Sequence, residues 1–171
     1  VLATVVTAGL AVVATLLGAI VSGRFQERAA ERQVRATHGE AIRRDRLEAV
    51  TALACAGSDH RTAMWMRGDA ILKGAGTERI EALRSQSHMT RSAVTRPLVA
   101  LRVLIEDQAV RAAADRMITL TYAIRDAYAT TEDLTTAREA AKAAHDDFVN
   151  AAACYLRPAS THPTREQEPT R

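Results

Sequence analysis

The sequence predicts an all-α protein: an N-terminal transmembrane helix and stalk, followed by an antiparallel bundle of about four helices. Three observations carry this. Residues 1–23 hold no charge. The rest is rich in Ala with 4% aromatics overall, a composition that suits closely approaching helices better than sheet. Apolar residues then recur at three- and four-residue spacing in four stretches, separated by short glycine-containing or acidic links.

The first element is VLATVVTAGLAVVATLLGAIVSG, in which eleven residues are Val, Leu or Ile. As a helix it reaches roughly 34 Å, enough to cross a hydrocarbon core of about 30 Å. Its only polar groups, Thr4, Thr7, Thr15 and Ser22, can bond back to helix carbonyls. A core helix of a globular domain would carry a polar stripe. A cleaved signal peptide would carry a basic start and a shorter apolar region. The expectation is a retained single-pass anchor. Arg24, Arg28, Arg32 and Arg35 follow it and nothing basic precedes it, which places the N-terminus outside and the C-terminal part in the cytoplasm. Ala14, Gly18 and Ser22 recur every four residues, a small-residue face through which two such helices could form a homodimer.

Residues 24–39 read as an Arg-rich juxtamembrane stalk with i, i+4 pairs Glu31–Arg35 and, just beyond, Glu40–Arg44; Gly39 is its weak point. The bundle is expected over 40–156. Its first helix, about Glu40 to Lys73, places Leu47, Val50, Ala54, Gly57, Met64 and Ile71 on one face, and Gly74-Ala75-Gly76 ends it. Thr77 with Glu78 and Glu81 opens the second, running through Ile80, Leu83 and Val94 toward Ile105, with Pro97 a point of doubtful helicity. Glu106 and Asp107 supply a turn and a cap before Val110, Ala114, Met117, Leu120, Ile124 and Tyr128. Thr130 to Asp133 start the last helix, whose face is Leu134, Ala137, Ala141, Ala144, Phe148, Ala152 and Tyr155. The tail, 157–171, has no large apolar residue and reads as disordered. Short links favour an antiparallel up-and-down arrangement.

The net charge of +3 is unevenly placed. Residues 24–46 hold seven Arg against four acids, a net of +3, whereas 47–156 hold thirteen basic and fourteen acidic residues, a net of −1. Basic residues beside the cytoplasmic leaflet gain about 1 kcal/mol each from anionic lipid. Membrane lipids are therefore the expected partner of this charge, and nucleic acid is not.

No candidate chemistry competes with the binding reading. The histidines, His38, His60, His88, His145 and His162, lack metal-ligand spacing, and Asp59-His60 and His145-Asp146-Asp147 read as surface polar groups. Cys55 and Cys154 lie in Ala-rich helices and read as small buried apolar residues. Without a phosphate loop, a nucleophile elbow or convergent carboxylates, no enzyme, cofactor or metal is expected. The segment SDHRTAMWMR, Ser58 to Arg67, is the most unusual stretch. Trp65 with Met64 can fill the bundle interior, or Trp65 and Met66 can contribute to a surface for a protein partner.

AVVATLLG, the Arg-rich stalk, RLEAVTALACAGSDHRTAMW, TRSAVTRPLVALRVLIEDQAVRAAA and AHDDFVNAA together resemble the KilB group of small membrane proteins of Streptomyces, over roughly residues 1–156. The resemblance implies a part in the spread of conjugative plasmids and brings no catalytic residues with it. The expected function is a membrane-anchored helical interaction protein accessory to plasmid transfer. The alternative is a membrane-tethered sensor holding a small apolar ligand between Ala-lined helices.

Overall fold

The structure is a computed structural model that describes residues 2–157, with side chains from residue 30 onward. It contains α1 (Leu2–Leu72), α2 (Thr77–Leu104), α3 (Gln108–Ala123), a 3-10 turn (Ile124–Ala127) and α4 (Thr131–Leu156). The chain divides into two compact units, residues 1–44 and 45–171. Among the described residues, no helix is long and apolar enough to cross a membrane. The side chains of the expected span over 1–23 lie outside those described, and so does the expected tail over 157–171 beyond Arg157.

In the first unit the described side chains, from Ala30, are almost all exposed. Glu31 and Arg35 pair at 3.5 Å, and Thr37 Oγ1 donates to the Gln33 carbonyl at 2.8 Å. Gly39 does not interrupt the helix. The Glu40–Arg44 pair expected from spacing is not formed among the described residues: both side chains are exposed, where hydration competes evenly with a weak contact.

The second unit is a four-helix bundle whose directions follow from cross-helix contacts. Arg46 Nε donates to the Leu104 carbonyl at 3.0 Å and His60 meets Thr90 at 2.9 Å, so α1 and α2 run antiparallel. Arg102 pairs with Asp115 at 2.8 Å, and Arg91 lies 4.8 Å from the Tyr122 ring, so α2 and α3 also run antiparallel. Arg46 lies over Tyr155 while Gly68 faces Leu134, which sets α4 antiparallel to α1. The main core joins Leu53, Val94, Leu101, Ile105, Val110, Met117 and Phe148, and a smaller cluster joins Met64, Ile124, Leu134 and Ala141. Buried Ala114, Ala141, Ala144 and Ala152 keep α3 and α4 close.

Helix ends follow local chemistry. Gly74 takes φ +66°, the left-handed conformation that terminates α1, and Ala75 N–H returns to the Ala70 carbonyl at 2.9 Å. Asp107 caps α3 by accepting from Val110 N at 2.9 Å. Thr130 caps α4 by accepting from Asp133 N at 3.0 Å. The N-cap of α2 is Gly76 and not Thr77; it has no side-chain cap, and Thr77 is already helical. α2 continues through Pro97 to Leu104, and Ile105, in extended conformation, ends it.

Three sequence expectations fail for one geometric reason. The buried stripe of α1 runs through Ala49, Val50, Leu53, Gly57, His60 and Met64. Leu47 sits roughly 110° around the helix from its centre, and is 54% exposed. Cys55 falls on the far side of the same helix, and Cys154 about 120° from the α4 stripe; both thiols are free and exposed, not buried. His60, expected at the surface, lies on the stripe and is buried.

Candidate functional site

The segment Ser58–Arg67 occupies the part of α1 that faces α2, α3 and the 3-10 turn. Its inward side is polar as well as apolar. The His60 ring meets Tyr122 edge-on, with centroids 5.2 Å apart, and its Nδ1 is 2.9 Å from Thr90 Oγ1. That hydroxyl also lies 3.1 Å from the Ser87 carbonyl and 3.2 Å from that of Gln86, to which it donates. With that one proton given to a carbonyl, the hydroxyl oxygen is free to accept from His60 Nδ1–H. Burial first, and the Arg91 guanidinium second, lower the His60 pKa to about 4. The imidazole is neutral at pH 7.

One turn on, Met64 is buried and its carbonyl accepts from Tyr128 Oη at 2.7 Å. Gly68 gives the Tyr128 ring room against α1: a Cβ there would stand 2.6 Å from Tyr128 Cε1. Arg67 lies 6.0 Å from the same ring, and its Nε is buried without a hydrogen-bond partner.

The same segment carries the two residues singled out for partner binding. Trp65 is half-buried, packed against the smaller core cluster, with Arg138 stacked 4.8 Å from its ring. Met66 is half-buried too. Of the residues expected to meet the membrane surface, Arg32 and Arg35 are exposed. Arg24 and Arg28, and the self-association face Ala14, Gly18 and Ser22, lie outside the described side chains. Among the described residues, no group of three His, Cys, Asp or Glu could hold a metal ion.

Two surface features were not read from the sequence. On α2, Val99 and Val103 stand one turn apart with 56% and 73% of their surface exposed. Beside the neighbouring residues Ala100 and Leu104 runs a groove of about 470 Å³ between α1 and α2, which also takes in Asp45, Glu48, Ala49, Ala52, Arg96 and Pro97. Valines four apart outside the Val94–Leu101 stripe were the available signal. LVALRVLI is apolar on nearly every side, which hid the distinction.

The KilB plasmid transfer protein family matches residues 47–156, the span of the bundle. Protein KilB of Streptomyces lividans is 44% identical over 148 residues, covering 86% of this chain and 96% of that relative. No solved structure matches. This is a plasmid transfer family and not a known enzyme family. With both the bundle and most of the remaining chain aligned, the chain belongs to the KilB plasmid transfer protein family.

Proposed function

We propose that the chain is a single-pass, membrane-anchored interaction protein whose helical bundle docks a protein of the plasmid-transfer apparatus. Residues 1–23 provide the anchor, Arg24, Arg28, Arg32 and Arg35 hold the stalk at the cytoplasmic lipid surface, and a small-residue face at Ala14, Gly18 and Ser22 pairs two copies. The observation that carries docking is the exposed Val99–Val103 pair beside a groove, on a bundle that is itself the family's matched region. Trp65 and Met66 add a second, half-buried contact. Apolar side chains held out by a rigid helix lose little entropy on binding.

The test is a plasmid-transfer assay in which the chain is replaced by Val99→Asp/Val103→Asp. Transfer should fall at least tenfold while the variant stays at wild-type level in the membrane fraction. Transfer at the wild-type rate would remove the docking face. A second reading is favoured by the Ala lining of the same groove: a tethered sensor of a small apolar ligand, held against Ala49, Ala52, Ala100 and Leu104. Ala52→Leu would block such a ligand while leaving Val99 and Val103 exposed.

A further inference from the structure

On the opposite half of the bundle from the Ala-lined groove lies a smaller cleft, of about 110 Å³, shared by α1, α2, α3 and the 3-10 turn. Its lining contains Arg67, Arg91, Arg125, His60, His88 and Tyr122, and no carboxylate. This convergence occurs on a bundle whose residues 47–156 carry a net charge of −1. Neither Arg67 nor Arg91 makes an ion pair among the described residues. Arg125 meets its neighbour Asp126 at 3.3 Å, an exposed contact that solvent weakens.

Two of the guanidiniums lie near aromatic rings. Arg91 lies 4.8 Å from the Tyr122 ring and Arg67 6.0 Å from the Tyr128 ring. A guanidinium near an aromatic ring is attracted to its face and keeps N–H groups for an acceptor. Tyr128 is itself held by its bond to the Met64 carbonyl. Like charges held together with no acid among them are relieved by an anion. The size of the cleft suits one tetrahedral group. We propose that this cleft binds a phosphate group, held by the guanidiniums of Arg67, Arg91 and Arg125 that line it. Phosphate is preferred to a carboxylate because three forks from three elements meet several oxygens at once.

The shared chemistry is a phosphate dianion, free or as the end of a small phosphate ester. The experiment is calorimetric titration of the full chain in mild detergent with inorganic phosphate, and separately with glycerol 3-phosphate, at fixed ionic strength. Saturable one-to-one binding is expected. Arg91→Gln, at an exposed position, should weaken it at least tenfold, and Arg67→Met should do the same. Arg84→Gln, an exposed residue outside the cleft, should leave it unchanged. Tighter binding of glycerol 3-phosphate assigns the site to an ester, and tighter binding of inorganic phosphate assigns it to the free ion. Failure of both probes to saturate the wild type, or equal affinity in Arg91→Gln, would overturn the proposal.

Discussion

His60 shows how a single polar residue in a core ties stability to pH. Its folded pKa of about 4 lies below the ordinary 6.5, so between those values the unfolded chain binds the extra proton. Stability from this group is intact above about pH 6.5 and lost as pH falls toward 4. Between pH 7 and pH 5 the loss is about 2 kcal/mol. Denaturant unfolding at the two pH values should show that slope in the wild type, and His60→Gln should flatten it; an unchanged slope would remove His60 as its source. Gly68 makes a steric prediction. Alanine favours helix over glycine by about 1 kcal/mol, but its Cβ would press on a Tyr128 ring that is held by the Met64 carbonyl. Gly68→Ala should therefore destabilise by about 1–2 kcal/mol net, read as a lower midpoint in urea. Neither residue was legible in advance: a His next to Asp59 looks solvated, and a Gly in a helix looks like a weakness.

At the scale of elements, the sequence was most informative where side chains act on their own backbone. Asp107 and Thr130 cap the helices they precede because a short acceptor there reaches a free N–H two or three residues on. Asp107→Ala should cost about 1 kcal/mol, measured by thermal unfolding; no change would mean that water replaces the cap at no cost. The faces of α3 and α4 were readable because apolar and polar residues alternate cleanly with the turn. α1 was harder. Its stripe includes Ala, Gly and His, and Leu47, a larger apolar residue, lies off it. The expected face shared Val50, Gly57 and Met64 with the buried stripe, but size and hydrophobicity wrongly added Leu47 and left out His60. Pro97 did not end α2, because packing of Val94 and Leu101 on either side offsets one missing backbone bond.

For the whole molecule, the division at residue 44 coincides with the start of the core, whose first member is Ala49. Residues 45–157 contain every buried apolar side chain among those described. This fragment should fold alone as a helical, cooperatively unfolding domain, checked by circular dichroism and denaturant titration. A molten fragment would show that the preceding residues complete the core. Within it Phe148, a member of the main cluster, is the largest of the fully buried side chains among the described residues. Phe148→Ala should destabilise by about 3–5 kcal/mol, and a loss below about 1 kcal/mol would mean that the core closes over the gap. The two core clusters have different surroundings: the larger is Ala-rich and bears the groove, while the smaller ends at Tyr128 and the arginine cleft.

By itself the sequence determined the all-α class, the four bundle segments and two of their caps, and the resemblance to KilB. These are consequences of periodicity and of side-chain chemistry acting within a few residues. Only the tertiary structure decided that Leu47 lies off the buried side of α1 and His60 on it, that both cysteines are exposed, and that Arg67, Arg91 and Arg125 meet. Helix phase depends on what the neighbouring helices offer for burial. Three arginines 24 and 34 residues apart become a cluster only when antiparallel packing brings their helices together.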